Sequence, residues 1–422
     1  MPPASARVPE RAASPGREGA LAFAGLLALL LLGFGGGLGG WFLSDAFEAN
    51  LLLRDGGLDP SRLLAEWTSP WLGLEGHAAW RPLLTLQYAL DWTLFGRVAF
   101  GYHLANFLTH ATASLLLLVA IRLLLPSRGW IVAFVATAAF ALHPARAEAV
   151  TWIPGRVSST SGCLALGSLL LGIGAWRRGS GAFRAGSVAL YGAALLSKEE
   201  AAAVPIALVG ALLMAEGEGG WRSRLRRSLL LVAPHLALFL LYLLARVGIL
   251  GGVTGGEEGE IGTPAAGFVS TLPGKLGALF FPFREGLLPG LRPFAALHLL
   301  VPLASLLVLL LRRGSRGTVL AAAAWLAGGL LPTFPVEVLP DGSGTRTLYF
   351  ASVPVSVLLA WLLPSPGRRG GFASATALLV AEALLVAAPL RLLAEEQARW
   401  RAASIEARDF VRAVDRFATE GG

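Results

Sequence analysis

Long apolar runs, repeated along most of the chain, constrain its fold more than any other feature of the sequence. They recur between residues 20 and 390. A run of about 20 apolar residues is long enough to cross the ~30 Å hydrocarbon core of a bilayer as a helix. Only 15% of the residues are charged, whereas soluble domains carry roughly 25%. The sequence therefore predicts an all-α, polytopic membrane protein, because helices satisfy their own backbone hydrogen bonds in lipid.

Short loops rich in arginine orient these runs. Basic loops stay on the cytoplasmic side of a membrane, and all the arginine clusters share one side if the segment 265–283 does not cross. Pro273 and Pro282 interrupt that segment, so we predict that it is re-entrant or interfacial. This leaves eleven predicted spans, at 20–42, 101–121, 129–143, 158–176, 185–197, 200–215, 228–247, 295–311, 317–335, 347–363 and 371–390.

The same topology divides the chain into three predicted parts. Residues 1–19 form a disordered cytoplasmic N-terminus, 20–390 the transmembrane domain, and 391–422 an external helical tail. Within the domain, 44–100 forms an external loop with interfacial helices. The excess of arginine over lysine is typical of a GC-rich bacterial genome, so we predict a bacterial inner membrane protein with a periplasmic C-terminus. The net charge of +8 comes from the loop arginines, and we expect no nucleic-acid partner.

Unusual polar residues gather on the predicted outer side. They are Asp45 with Glu48, Arg81, the loop His143–Arg156, Lys198 with its acidic neighbours, and Arg346. Ionisable groups at membrane depth cost about 2.5–3.5 kcal/mol each, so they usually face a cavity and a partner. Arginine and lysine bind phosphate, and a carboxylate can serve as general base on a hydroxyl. The pattern predicts transfer of a group from a lipid-linked phosphate donor to an external hydroxyl.

Five motifs carry a resemblance to a known family. In order, they are WRPL at Trp80–Leu83, GYHLANFLTH at Gly101–His110, HPARAEAVTWIPGR at His143–Arg156, LLSKEE at Leu195–Glu200 and RTLYFAS at Arg346–Ser352. On these motifs, most of residues 20–365 resembles the membrane part of the transmembrane-and-tetratricopeptide-repeat (TMTC-like) O-mannosyltransferases and their bacterial relatives. The resemblance implies a GT-C-like fold, a polyprenyl-phosphate sugar donor with mannose as the candidate sugar, and an inverting transfer.

The resemblance also implies roles for individual residues. Asp45 takes the position of the catalytic base, with Glu48 near it in sequence. The implied ligands of the donor phosphate are Arg81, Arg156, Lys198 and Arg346. The implied supporting residues are His143, Glu148, Trp152, Glu199 and Tyr349.

The chain departs from the family pattern in two ways. Ala46 stands where the family often carries a second acid. The sequence also ends at Gly422 without a tetratricopeptide repeat, which needs about 34 residues. An acceptor-recruiting domain is therefore expected to be missing or to be supplied by another chain. In the second case the partner is a repeat-containing protein, and membrane lipid is the other partner.

Several of these residues have structural alternatives. Asp45 and His143 are each placed to cap a helix. Glu148 and Arg156 have opposite charges and can pair with each other, and Trp152 can anchor the chain at the membrane interface. No spacing of His, Cys and carboxylates predicts a protein-built metal site, so no cofactor is certain. Binding of a divalent cation near Asp45 is an alternative that the sequence leaves open.

Two other functions also stay open. A catalytically silent relative would bind lipid or scaffold a partner, and Ala46 with the missing repeats favours this alternative. A lipid transporter or flippase would place its ionisable groups near the middle of the bilayer, in paired and interrupted helices. The charged residues of this sequence gather at one predicted surface instead, which favours the transferase.

Overall fold

The structure is a computed structural model that describes residues 16–44, 46, 60–71, 79–216, 220–252, 264–280, 316–333, 336–339, 342–363 and 388–420. Every regular element in these ranges is helical, as the sequence predicts. The α-helices are α1 (Arg17–Phe34), α2 (Pro60–Ala65), α3 (Pro82–Phe95), α4 (Ala99–Leu124), α5 (Gly129–Ala141), α6 (Ala147–Thr151), α7 (Arg156–Arg178), α8 (Gly181–Ser197), α9 (Val204–Met214), α10 (Trp221–Leu250), α11 (Pro264–Phe280), α12 (Arg316–Leu330), α13 (Val353–Leu362) and α14 (Ala388–Glu420). Short 3-10 helices cover Gly35–Gly39, Pro126–Arg128, Pro144–Arg146, Glu199–Ala203, Leu331–Thr333 and Thr345–Leu348.

Within the described ranges, four helices are long and apolar enough to cross a bilayer. They are α1 with the 3-10 turn that extends it to Gly39, α4, α7 and α10. The segments Pro126–Ala141 and Pro144–Thr151, which meet at an angle of 57°, form a fifth candidate if they are taken as one span. The predicted count of eleven spans is therefore not confirmed. The spans predicted at 295–311 and 371–390 lie wholly or largely outside the described residues.

Helix α7 is the most deeply buried of these candidate spans, and small residues let its neighbours approach. Ser168 of α7 donates a hydrogen bond to the Ser187 carbonyl of α8 at 2.8 Å, and Ser187 donates in return to the Ser168 carbonyl at 2.7 Å. In an apolar medium, helix association depends on such close packing and interhelical hydrogen bonds. The helices α7 and α8 are therefore held closely together by these two hydrogen bonds.

Breaks in the helices place polar groups at one end of this bundle. Helix α8 stops at Lys198, whose backbone is extended, and the 3-10 helix Glu199–Ala203 leads into α9 with Pro205 in its first turn. Pro144 likewise begins the 3-10 helix before α6. Irregular backbone at membrane depth persists only where protein buries it or a cavity adjoins it. These breaks therefore mark where a site can form.

The tail helix α14 packs along the C-terminal end of α1. Leu393 lies against Gly33, and Gln397 donates a hydrogen bond to Thr151 at 2.5 Å. Further along, the Trp41 amide donates to Ser404 at 3.1 Å. One helix thus covers residues 391–420 of the predicted tail. Helix α11 covers most of the segment predicted to be re-entrant, and that role stays a prediction, as do the orientation and the domain bounds.

We expect Gly162→Ala to destabilise the protein. Gly162 lies in α7 against the Tyr349 ring, and an added methyl group would overlap that ring. Overpacking of this kind costs about 1–3 kcal/mol. Gly248→Ala is the matched control, because an added methyl group on that α10 residue meets nothing within 4 Å. Thermal unfolding in detergent should show a lower midpoint only for Gly162→Ala, and equal midpoints would contradict this packing.

Candidate functional site

Eight charged residues from six parts of the fold form what we call the charged cluster. Its members are Arg81, Glu148, Lys198, Glu199, Glu200, Arg246, Lys275 and Arg346. They come from the start of α3, from α6, from the α8–α9 break, from α10 and α11, and from the 3-10 helix Thr345–Leu348. Three of the four cations predicted to bind phosphate belong to this cluster.

Glu199 lies between two arginines at one side of the cluster. Arg81 Nη2 donates to Glu199 Oε1 at 3.3 Å, and Arg246 Nη1 lies 4.0 Å from Glu199 Oε2. Burial raises the pKa of Glu199, but the charges of Arg81, Lys198 and Arg246 lower it by more, so that the pKa is about 2. Glu199 therefore stays ionised and holds both guanidinium groups in place.

Aromatic rings support the two arginines. The Arg81 guanidinium lies 5.6 Å from the centre of the Trp71 ring, within the range of a cation–π contact. Arg246 Nη1 donates to the Tyr242 hydroxyl at 3.2 Å, and the Tyr242 ring stacks on Trp80 at 5.6 Å. These contacts restrict the rotamers of both arginines, so the cations are positioned before any ligand binds.

The only two lysines of the chain both interact with Glu200. Lys198 forms a buried ion pair with Glu200 and donates to Ser158 Oγ at 2.8 Å. Lys275 donates to the Thr333 carbonyl at 2.7 Å, and the Glu200 charge acts on it. Burial lowers the pKa of Lys198, and the nearby charges of Arg346 and Arg81 lower it further.

Glu148 holds the opposite side of the cluster together. Its carboxylate accepts hydrogen bonds from the Gly344 amide at 3.1 Å, the Arg346 amide at 2.7 Å and the Thr345 hydroxyl at 3.3 Å. Arg346 Nη1 also donates to it at 2.6 Å. Charge-assisted hydrogen bonds of this kind are about twice as strong as neutral ones. Glu148 thus fixes both the backbone and the side chain of Arg346.

Trp152 links Arg346 to the end of the first helix. The Arg346 guanidinium lies 5.1 Å from the Trp152 ring centre. Trp152 Nε1 donates to the Leu43 carbonyl at 3.3 Å, and the ring stacks on Trp400 of α14 at 6.5 Å. Leu43 precedes the predicted base, Asp45, by two positions.

Arg156 lies in a separate network. Its Nε donates to Asn106 at 2.7 Å, Nη2 donates to the Tyr102 carbonyl at 2.9 Å, and Nη1 pairs with Asp91. The alternative in which Arg156 pairs with Glu148 is therefore wrong. Each guanidinium nitrogen of Arg156 already has a protein partner, so the geometry favours a structural role. Its predicted contact with phosphate stays a prediction.

Two other predicted residues, His143 and Tyr349, have structural contacts near the site. His143 Nδ1 accepts a hydrogen bond from the Ala145 amide at 3.2 Å, which is the capping role that the sequence left open. The Tyr349 hydroxyl lies 2.6 Å from His110 Nδ1. His110 Nε2 faces the Ala141 carbonyl at 2.9 Å, so Nε2 carries the proton and Tyr349 donates to Nδ1. These contacts fix the position of the Tyr349 side chain, three positions after Arg346.

The predicted base residues, Asp45 and Glu48, lie outside the described residues. The neighbours of Asp45 are described. Ser44 has a φ of 54°, in the left-handed region, which costs a non-glycine residue roughly 1–2 kcal/mol. Ala46 is buried with Phe42 against Tyr102. Among the described residues, no group of three His, Cys, Asp or Glu side chains could hold a metal ion, and a divalent cation near Asp45 stays a prediction.

Four charged residues near the site were not among the predicted site residues. They are Arg146, Glu200, Arg246 and Lys275. The sequence feature that could have identified them is a charge placed within or beside an apolar run. Arg146 is 1% exposed and lies between the Phe140 and Tyr349 rings, at 5.0 and 5.4 Å, without an ion pair in the described part of the chain.

We expect Glu148→Gln to lower the free energy of unfolding by about 3 kcal/mol, because loss of one partner from a buried ion pair typically costs 3–5 kcal/mol. The same substitution at Glu395 is the matched control. That residue pairs with Arg391 on an exposed face of α14, and exposed pairs contribute about 0–1 kcal/mol. Thermal or denaturant unfolding measures both variants. Equal losses would show that Glu148 is not the central contact.

Comparisons with known proteins give relatives for part of the chain. It is 33% identical to the protein O-mannosyl-transferase Tmtc1 of Drosophila melanogaster over 161 residues, 37% of this chain and 18% of the relative. It is 34% identical to mouse TMTC3 over 104 residues (25% of this chain, 11% of the relative) and 36% identical to Drosophila Tmtc2 over 124 residues (28% and 13%). No protein-family model matches the chain. No solved structure matches it either, so the GT-C-like fold stays a prediction.

The chain thus spans less than a fifth of the length of the curated relatives named above. Those relatives are animal proteins, and the predicted bacterial membrane stays a prediction. Each of them is named a protein O-mannosyl-transferase. The matches confirm the resemblance that the motifs predict, and over the region that it shares with these proteins the chain is TMTC-like.

Proposed function

We propose that the protein is a membrane glycosyltransferase. It transfers a sugar, with mannose as the candidate, from a polyprenyl-phosphate donor to an acceptor hydroxyl on the external side of the membrane, with inversion. The printed names of the relatives support the reaction class. The observation that carries the proposal is the gathering of Arg81, Lys198, Arg246 and Arg346, from distant parts of the sequence, in one charged cluster.

The net charge of the cluster suits a phosphate ester. Its five cations face three carboxylates, which leaves a formal net charge of +2. Such a surplus near an apolar surface attracts an anion, because charges interact more strongly where water is scarce. Arginine offers a planar pair of donors to phosphate oxygens, and lysine offers a point charge.

The proposed reaction assigns a different task to each side of the site. Asp45, with Glu48 near it in sequence, removes the proton of the acceptor hydroxyl. The hydroxyl oxygen then bonds to the anomeric carbon, and the bond from that carbon to the phosphate oxygen breaks. The charge that develops on the leaving polyprenyl phosphate is stabilised by the cations of the cluster. Donors positioned in advance are effective here, since they need no reorganisation during the reaction.

The setting of the enzyme forms part of the proposal. The protein lies in a bacterial inner membrane, with its N-terminus cytoplasmic and its C-terminus periplasmic. A repeat-containing partner presents the acceptor, and a divalent cation near Asp45 is a candidate aid to catalysis. The predicted topology supports this arrangement, because it places the arginine loops on one side and the cluster on the other.

One observation favours a second candidate, a catalytically silent relative that binds the lipid donor. Ala46 is only 2% exposed and packs with Phe42 and Tyr102. The position where the family often has a second acid is thus used for packing in this chain. A silent relative would keep the charged cluster and bind polyprenyl phosphate, but would not transfer sugar. A flippase has less support, because the predicted topology places these charges at one membrane surface rather than near the middle of the bilayer.

We expect Asp45→Asn to lower sugar transfer by about 10²–10⁴-fold, the usual contribution of general base catalysis, with donor binding kept. The assay uses purified protein in nanodiscs, radiolabelled polyprenyl-phosphate mannose and a set of peptide and glycan acceptors. Asp409→Asn is the matched control, since Asp409 is exposed on α14. If the parent protein binds donor but transfers nothing, the silent relative is correct. Full activity in Asp45→Asn would overturn the assignment of the base.

We expect Arg346→Gln to weaken donor binding and to lower transfer by about 10²-fold, as loss of one positioned donor does in other enzymes. Arg391→Gln is its control, because the Arg391 side chain is 79% exposed. Binding is measured with polyprenyl phosphate lacking the sugar, and transfer with the complete donor. Unchanged binding together with unchanged transfer in Arg346→Gln would remove Arg346 from the phosphate site.

A further inference from the structure

A groove of about 860 Å³ runs between α8 and α10. Its floor on α8 consists of small residues, among them Ala185, Ala189 and Gly192, and Pro234 and Leu238 of α10 form its other wall. Pockets for small organic ligands usually measure about 300–1,000 Å³. The groove is open to the side, because Ala185 and Ala189 are exposed. A ligand can therefore enter it from within the bilayer.

A proline in the middle of α10 lines the groove. Pro234 has no N–H, so the Leu230 carbonyl loses its usual helical partner. Arg184 of α8 replaces that partner, and its Nη2 donates to the Leu230 carbonyl at 2.8 Å. Further along, the two helices also touch at Ser187, whose Oγ lies 2.9 Å from His235 Nε2, and at Gly192, where an added methyl carbon would lie 3.2 Å from Leu238. The groove lies beside these contacts, where α8 presents small side chains.

One end of the groove lies close to the charged cluster along the chain. Its lining on α8 extends from Gly181 to Leu196, and 15 residue steps in a helix rise about 22 Å, against ~30 Å for the hydrocarbon core of a bilayer. Leu196 precedes Lys198 by two positions, and Leu83, at the same end, follows Arg81 by two. An apolar path the depth of most of a bilayer therefore ends beside cations.

We propose that this groove binds the polyprenyl chain of the lipid phosphate, with the phosphate at the charged cluster. The inference rests on the proposed function, because it takes its ligand from the proposed donor. An amphiphile with one long apolar chain and one anionic group matches both parts of the path. A free sugar phosphate would leave the groove empty, and a neutral lipid would leave the cations without an anion.

Photo-crosslinking in nanodiscs tests the groove directly. One probe is polyprenyl phosphate with a diazirine in its chain, and the other is phosphatidylglycerol with a diazirine in one acyl chain. We expect the polyprenyl probe to label peptides of α8 and α10, and Ala189→Trp to lower that labelling about tenfold. Ala237→Trp is the matched control, since Ala237 is exposed on α10 outside the groove. Unfolding midpoints establish that both variants are folded.

The outcomes separate this inference from the proposed function. Labelling in the groove without any sugar transfer keeps the groove and rejects the transferase. Sugar transfer with polyprenyl labelling elsewhere rejects the groove and keeps the transferase. Equal labelling by both probes, unaffected by Ala189→Trp, would show that the groove holds bulk bilayer lipid only and would overturn the inference. A failure of the polyprenyl probe to label the protein at all would reject both.

Discussion

The carboxylate of Glu148 holds the site in one arrangement. It binds two backbone amides, one hydroxyl and one guanidinium of a turn that lies almost 200 residues away in the sequence. That turn is irregular backbone beside the apolar part of the molecule, where each amide without a partner would cost several kcal/mol. Glu148 supplies those partners and so allows the chain to leave the helical conformation there. Arg346 can face Lys198 only because this turn is held in place.

The charged cluster is better explained by binding than by stability. Removing two charges from water costs several kcal/mol per ion, and a buried ion pair often contributes no more than apolar residues of the same volume would. A cluster with five cations and three carboxylates is less favourable still, because its positive charges repel one another. Such an arrangement is costly to fold. An anionic ligand removes this repulsion, and this supports a phosphate ester at this place.

Hydropathy predicted the helical class. The motifs singled out Arg81, Lys198 and Arg346, three of the four predicted phosphate ligands, and these three lie together in the cluster. The motifs could not predict which acid each cation contacts. Glu148 and Arg156 are close in sequence, yet Glu148 contacts Arg346 and Arg156 contacts Asp91, because pairing is decided by packing between distant helices. Apolar runs also overstate the number of long helices. Pro144 directly follows the predicted span 129–143, and Pro205 lies near the start of the predicted span 200–215. The helices found in these two spans, α5 and α9, have only 13 and 11 residues. The prolines can be read from the sequence, but the angle between the segments on either side of them cannot.

The Trp152 side chain contacts both the proposed phosphate site and the segment that leads to the proposed base. The Trp152 ring lies against Arg346, which is assigned to the leaving phosphate, and its Nε1 binds the carbonyl of Leu43, just before the segment of the assigned base. The same ring stacks on Trp400 of the tail helix. A shift of α14 would therefore act on both sides of the site through a single side chain. Inverting transfer needs its base and its leaving group on opposite sides of one carbon, and a displacement of about 1 Å can cost 10²-fold in rate. A rigid shared contact at Trp152 meets that requirement better than two loops positioned independently.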